Sequence, residues 1–327
     1  MMQAIANSFL GRWFSRRTLP LLATLLVCAL LYTAASISFR GFFSPRVFIG
    51  FFRDQSFLGI AALGTTFVIL SGGIDLSVGS VVGCTGVAVA TLVETNHLPP
   101  ALAIALVLLA ATLFGMAQGS LIHFFNLTPF LVTLGGLFIM RGVALLISNE
   151  SVAITHPAYL RLSSMTLPLG GGLQLPLTAA IFLALAVILV IVSMQTPFGR
   201  NVYAIGGNET SALLMGLPVG RTKIGVYALG GFCSGLAGVV YTIYTASGYA
   251  IAGTGMELDA IAAVVIGGTL LSGGVGYVAG TPLGVLTFAI IQTAITFQGE
   301  LSSWWTRIAI GGLLLGFVVI QRLIQAR

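Results

Sequence analysis

Gly72-Gly73-Ile74-Asp75-Leu76-Ser77-Val78-Gly79-Ser80 lies inside residues 57–93, a run with no other charge than Asp75. At about 37 residues the run is too short for two full spans of about 20 apolar residues each plus a loop. A carboxylate at bilayer depth costs about 2.5–3.5 kcal/mol on insertion scales, so it faces a cavity or a partner. Paired glycines before it and Ser77 after it predict a broken helix, and irregular backbone is tolerated at membrane depth only where protein or a water-filled path covers it. The segment is therefore the first candidate for a transport pathway.

The rest of the chain extends that reading. Of 327 residues, 57% are hydrophobic and only 7% charged, with mean hydropathy +1.06. A soluble domain carries about 25% charged residues, so the composition excludes a water-soluble globule and predicts an all-α polytopic membrane protein. The longest polar interruptions, roughly 25–30 residues, fall below the ~50 needed for a domain, so residues 1–327 form a single transmembrane domain. The net charge of +6 comes from basic residues scattered at helix ends. It forms no basic stripe, which excludes a nucleic-acid partner and leaves lipid as the surrounding phase. Cys28, Cys84 and Cys233 lie in apolar segments without metal or redox spacing. Residues 18–37 exceed the 7–15-residue core of a signal peptide, so they are expected as a retained first helix behind a cytoplasmic tail, 1–17.

Apolar runs predict about ten spans, near 18–37, 45–71, 76–93, 100–122, 129–147, 175–194, 222–246, 259–272, 277–298 and 306–322, with the second, third and eighth short or glycine-interrupted. Cytoplasmic N- and C-termini place Arg12, Arg16, Arg17, Arg200, Arg221, Lys223, Arg322 and Arg327 inside, although Arg40, Arg46 and Arg53 then cluster outside. Glycines four apart (Gly79 and Gly83, Gly115 and Gly119, Gly231 and Gly235, Gly276 and Gly280, Gly280 and Gly284, Gly312 and Gly316) predict close helix packing.

The loop 195–223 carries its own signals. Asn208 is a good N-cap, Glu209 suits the positive helix end, Gly216 can close a helix and Pro218 prevents its continuation. A short helix over 209–215 follows, and its Leu213, Leu214 and Met215 need either lipid or another protein. No Walker A sequence is present, and the sole lysine, Lys223, follows Arg221-Thr222. A chain of intramembrane acids or histidines is missing too, and His97, His123 and His156 share no metal-ligand spacing. The energy source is expected on a partner.

These motifs resemble a known family. The 72–80 stretch, Thr128-Pro129-Phe130-Leu131-Val132-Thr133-Leu134-Gly135, the 196–216 loop and Glu257-Leu258-Asp259-Ala260-Ile261-Ala262-Ala263-Val264-Val265-Ile266-Gly267-Gly268-Thr269 are similar to permease subunits of bacterial ATP-binding-cassette sugar importers, in the ribose and branched-chain amino-acid permease superfamily. The resemblance runs over nearly the whole chain. Residues 255–260, 270–276 and 301–306, with His156-Pro157 and Leu162-Ser163-Ser164, look most like galactofuranose permeases. It implies the ABC importer permease fold in a bacterial inner membrane and a second related permease forming a heterodimer. It also implies a periplasmic sugar-binding protein and a cytoplasmic ATPase subunit that holds ATP and Mg, so that this chain needs no cofactor of its own. By the same resemblance 209–215 is a coupling helix: Gly199, Arg200, Ala204, Gly206, Gly207 and Asn208 shape its approach, and Glu209, Ser211, Ala212, Met215 and Gly216 complete the coupling set.

Asp75, Ser77, Thr133, Glu257 and Asp259 are the candidates for the translocation path. Asp75 and Asp259 share a context, each opening a glycine-punctuated helix after a polar break, as in repeated transporter halves. For both, capping the following helix is favoured over contact with a sugar. Arg141 reads as an arginine snorkelling to an interface, and Trp304-Trp305 as an interfacial belt; no role is assigned to Arg307. The rival function is an ATP-independent facilitator or channel working without helix 209–215, or an ABC permease for ribose, a nucleoside or a branched-chain amino acid. An intramembrane enzyme finds no convincing Ser/His pair, metal set or paired carboxylates.

Overall fold

The computed structural model describes residues 19–299 and 304–325, so the expected tail 1–17 and residues 301–303 lie outside the described residues. The described residues are predominantly helical. The first half contains α1 (Leu19–Ser38), α2 (Pro45–Asp54), α3 (Ser56–Leu70), α4 (Val78–Glu94), α5 (Pro100–Phe124) and α6 (Pro129–Ile147). A segment with α7 (Pro157–Ser164) and a hairpin of β2 (Thr166–Gly170) and β3 (Leu173–Pro176) leads to α8 (Leu177–Gln195), α9 (Pro197–Gly207) and α10 (Glu209–Leu214). The chain then runs through α11 (Val219–Thr245), α12 (Met256–Ile266), α13 (Thr281–Gln298) and α14 (Trp304–Gln325). Two-residue strands β1 (Val152–Ala153) and β4 (Ser247–Gly248) pair antiparallel and tie the 150s segment to the end of α11.

All ten expected apolar runs contain helix, but ten crossings do not follow. Among the described residues six helices are long and apolar enough to cross a membrane, or seven if α2 and α3 count as one bent span. α4 and the apolar part of α14 are shorter. The expected eighth span, 259–272, is replaced by the 11-residue α12, followed by Gly267 and a left-handed Gly268. At 1.5 Å per residue α12 is about 16 Å long, roughly half the hydrocarbon thickness.

The expected second span, 45–71, is bent by 57° between α2 and α3. Ser44 caps α2, its Oγ accepting the Val47 amide at 3.3 Å, and Pro45 starts the helix. α2 carries Arg46, Arg53 and Asp54, which a helix descending into hydrocarbon cannot keep; the elbow holds them at one end of the bundle. α3 has no charged residue and is buried on every face except at Phe57, as a helix apolar all round must be.

α3 and α11 form the centre, α11 packing chiefly on α5, α3 and α4. Close approach of α5 and α11 depends on glycine: a Cβ at Gly115 would stand 2.2 Å from the Tyr227 carbonyl oxygen. Not every expected glycine pair packs. Gly312 and Gly316 meet nothing within 4 Å among the described residues, and Gly276 lies outside any helix.

Candidate functional site

The loop between α8 and α11 is two capped helices where one was expected. Thr196 Oγ1 accepts the Gly199 amide at 3.1 Å and Pro197 opens α9; the expectation had placed no helix over 197–207. Gly199 is needed where α9 folds back on α8, since a Cβ there would lie 2.3 Å from the Ser193 carbonyl oxygen. Asn208 Oδ1 then accepts the Ser211 amide at 2.7 Å, starting α10 one residue shorter than expected, with Met215 at its cap and Gly216 left-handed at φ +77°. Ala212 is buried in a small cluster with Ile205, Leu217 and Val219. Lys223 Nζ lies 2.6 Å from Glu209 Oε1 and pins α10 to α11. Leu213, Leu214 and Met215 face outward, Leu214 at 84% exposure.

α9 ends in a joint made of backbone. Gly206 sits on the C-terminal carbonyl of α3, where a Cβ would fall 1.8 Å from Leu70 O and 2.6 Å from Gly274 N. The Gly274 amide donates to that same Leu70 oxygen at 2.9 Å. Gly273 in turn packs on Gly72, a Cβ on it standing 2.8 Å from Gly72 Cα. Ser71-Gly72-Gly73 thus meets its sequence echo Ser272-Gly273-Gly274 directly. The expected pairing of contexts, Asp75 with Asp259, missed this echo. A cavity of about 490 Å³ beside the joint is lined by Arg200, Tyr203, Ala204 and residues 274–277.

Immediately beyond the joint lies the Asp75 break. Gly72 takes φ +83°, turning the chain out of α3. Asp75, 2% exposed, accepts the Ser77 amide at 2.8 Å and the Ser77 hydroxyl at 2.6 Å through Oδ1, three residues ahead of the start of α4. The Ser77 hydroxyl also lies 3.3 Å from Gln118 Oε1 on α5, and Thr133 Oγ1 on α6 donates to the Ile74 carbonyl at 3.2 Å. Tyr227 on α11 puts its hydroxyl against Gly73, where a Cβ would be 2.4 Å away. Neither that hydroxyl nor Gln118 Nε2 has a hydrogen-bond partner among the described residues. Asp75, Ser77 and Thr133 are therefore brought together; Gln118 and Tyr227 are the members sequence reasoning missed, the one side-chain amide of α5 and one of three tyrosines on α11.

The other two path candidates lie elsewhere. Glu257, on the first turn of α12, rests against Gly79 of α4, with Oε2 2.3 Å from where a Cβ on Gly79 would be. Arg141 faces Glu257 and donates through Nη1 to the Ala250 and Ala252 carbonyls, at 3.0 Å for the second. It clamps the turn before α12, which corrects its reading as a snorkelling arginine. Asp259 lines a separate cavity with Arg307 and Trp304, between α12, α13, α14 and the elbow. Of the five candidates, Asp259 alone lines that cavity.

At the end of the bundle opposite the joint, Glu94 stands just past the 57–93 run. It accepts the Thr155 amide at 2.6 Å, the Thr155 hydroxyl at 2.9 Å and the His156 amide at 2.8 Å, fixing the start of α7. Burial alone would raise its carboxyl pKa; these bonds outweigh it and hold the group below the usual carboxylate value. No cluster of His, Cys, Asp or Glu able to hold a metal occurs among the described residues.

The helix pair α9–α10 thus abuts the break between α3 and α4 through backbone packing. The family model for the permease component of branched-chain amino acid transport systems matches residues 47–318. The chain is 51% identical to the inner membrane ABC transporter permease protein YjfF of Escherichia coli strain K12, over 94% of this chain and 93% of that protein. It is 36% identical to the fructose import permease protein FruG of Bifidobacterium longum (97% and 94% covered) and 36% identical to the ribose import permease protein RbsC of Bacillus subtilis (90% of each). No solved structure matches. The chain belongs to the family of permease components of branched-chain amino acid transport systems, and as a permease it is not in itself an enzyme.

Proposed function

We propose that this chain is the membrane subunit of an ATP-driven importer that carries a monosaccharide, galactofuranose by the resemblance of residues 255–260, 270–276 and 301–306, across a bacterial inner membrane. The relatives named for ribose and fructose import support a sugar as cargo. The loop bearing Arg200, Arg221 and Lys223 faces the cytoplasm in this reading, as do both termini, following the bias of basic residues. A second related permease, a periplasmic sugar-binding protein and a cytoplasmic ATPase carrying ATP and Mg complete the assembly.

The observation that carries the mechanism is the backbone joint at Gly206. α10 offers Leu213, Leu214 and Met215 to the ATPase, and Ala212 and the Glu209–Lys223 ion pair keep it from tilting alone. A push on α10 passes through α9 to the Leu70 carbonyl and the Gly274 amide, and so to the break at Asp75. Packed backbone cannot absorb such a displacement as flexible side chains can, so it moves the elements as rigid bodies. Asp75 and Ser77 hold the break in shape, Thr133 ties it to α6, and Glu257 and Asp259 belong to the wall on the α12 side.

The test is uptake of radiolabelled sugar by proteoliposomes containing this chain, with or without the ATPase, second permease and binding protein. Uptake only with the partners and internal ATP is expected; uptake by this chain alone without ATP makes it a facilitator instead.

A further inference from the structure

At the end of the bundle away from the joint, a cavity of about 720 Å³ opens between the α2–α3 elbow, the start of α12, the end of α13 and the start of α14. Its size falls within the range of small-molecule sites. Trp304 lies in its wall at 65% exposure, with the Arg307 guanidinium 5.1 Å from the ring centroid on one face. Arg307 also faces Asp259 across the cavity. Gln55 Nε2 donates to Gln292 Oε1, and the Thr296 hydroxyl sits one turn further along α13.

The chemistry of this lining is selective. Asp54 pairs with Arg53 at 2.7 Å and Arg307 attracts Asp259, so each carboxylate of the lining has a guanidinium near it. It presents carboxylate and amide acceptors beside guanidinium and amide donors, a rim suited to groups that both donate and accept, as hydroxyls do. An indole face adds a flat apolar surface with a defined orientation. Hydroxyls around the edge of a ring whose C–H face is apolar complement both features at once.

We propose that this cavity is a subsite for an uncharged monosaccharide ring, with Trp304 supplying the stacking face and Asp259, Arg307, Gln55 and Gln292 the hydrogen-bonding rim. The proposal rests on the sugar-importer reading and assigns to it the residues that receive the cargo first. Trp304 is then a contact residue rather than part of an interfacial belt.

Thr296→Cys provides the test, because the three native cysteines are buried. In the complete transporter in nanodiscs, labelling of Thr296→Cys by a charged methanethiosulfonate is followed with D-galactose, D-ribose or L-leucine present. A control cysteine is placed at Leu167, which is 52% exposed on the hairpin. Either sugar is expected to slow labelling at 296 about tenfold at roughly ten times its dissociation constant, leaving 167 unaffected. Adding Trp304→Ala or Asp259→Asn is expected to abolish the protection. The proposal is overturned if neither sugar protects, if L-leucine protects in their place, or if Trp304→Ala leaves protection intact. ATP-driven sugar uptake by the same unmodified complex separates the two levels. Uptake without protection refutes the subsite alone, and no uptake refutes the importer reading.

Discussion

Gly206 lies so close to the backbone of Leu70 that a single added methyl would overlap the Leu70 carbonyl oxygen, which already accepts the Gly274 amide. Its neighbour Gly207 has nothing within 4 Å of the same methyl. Gly206→Ala must therefore displace helix ends, an overpacking cost of about 1–3 kcal/mol or more, whereas Gly207→Ala should be neutral or slightly stabilising. Thermal unfolding of the two purified variants checks this, with a lowered Tm expected for Gly206→Ala only. Equal Tm values would show that the joint is looser than described.

Met215→Asp should separate folding from function. Met215 is 69% exposed, so a carboxylate there costs the isolated permease little. In the assembled importer it would sit unpaired in the interface with the ATPase, and uptake should fall at least about tenfold, the effect of roughly 1.4 kcal/mol. Size-exclusion profile and Tm should match wild type. Wild-type uptake would remove α10 from the docking surface.

Much of this was legible in the sequence, for local reasons. Asn208, Gly216 and Pro218 mark α10 because capping and termination depend on a few adjacent residues. Asp75 marked the break because a charge in a long apolar run has few explanations. The joint was illegible because Gly206, Leu70 and Gly274 meet only through tertiary packing, and a glycine that admits a distant backbone looks like any loop glycine. α9 was missed because its three glycines, Gly199, Gly206 and Gly207, argue against helix, and tertiary packing against α8 and α3 overrides that propensity. The bend at Gln55 could have been found, since Arg46, Arg53 and Asp54 populate the first ten residues of a supposed span. The split of the path candidates between two places depended on where α12 lands, which spacing does not encode.

Asp75 is assigned to architecture, and its variants should behave accordingly. Asp75→Asn keeps an oxygen to accept the Ser77 amide and should leave the sugar KM unchanged. Asp75→Ala leaves the Ser77 amide and hydroxyl without that acceptor in a buried site, at about 1–3 kcal/mol. A lower Tm with unchanged KM is expected for the alanine variant. A KM shift in Asp75→Asn with normal Tm would make Asp75 a sugar ligand.

Glu94 gives the structure a pH dependence at the α7 end. Its folded pKa is depressed, so its stabilising contribution is present above the unfolded value of about 4.3 and is lost as pH falls through the folded value. Comparing Tm of wild type and Glu94→Gln across pH 3–7 should show a gap at neutral pH that closes on acidification. A gap that persists at the acid end would mean that charge on Glu94 does not matter.

The central claim is that ATP-driven motion reaches the intramembrane break through Gly206. The most direct measurement is sugar transported per ATP hydrolysed, in proteoliposomes carrying the full importer with wild-type, Gly206→Ala or Gly207→Ala permease. The account predicts that Gly207→Ala keeps the wild-type ratio while Gly206→Ala retains hydrolysis and loses transport. A wild-type ratio in Gly206→Ala, at wild-type rates, would contradict it.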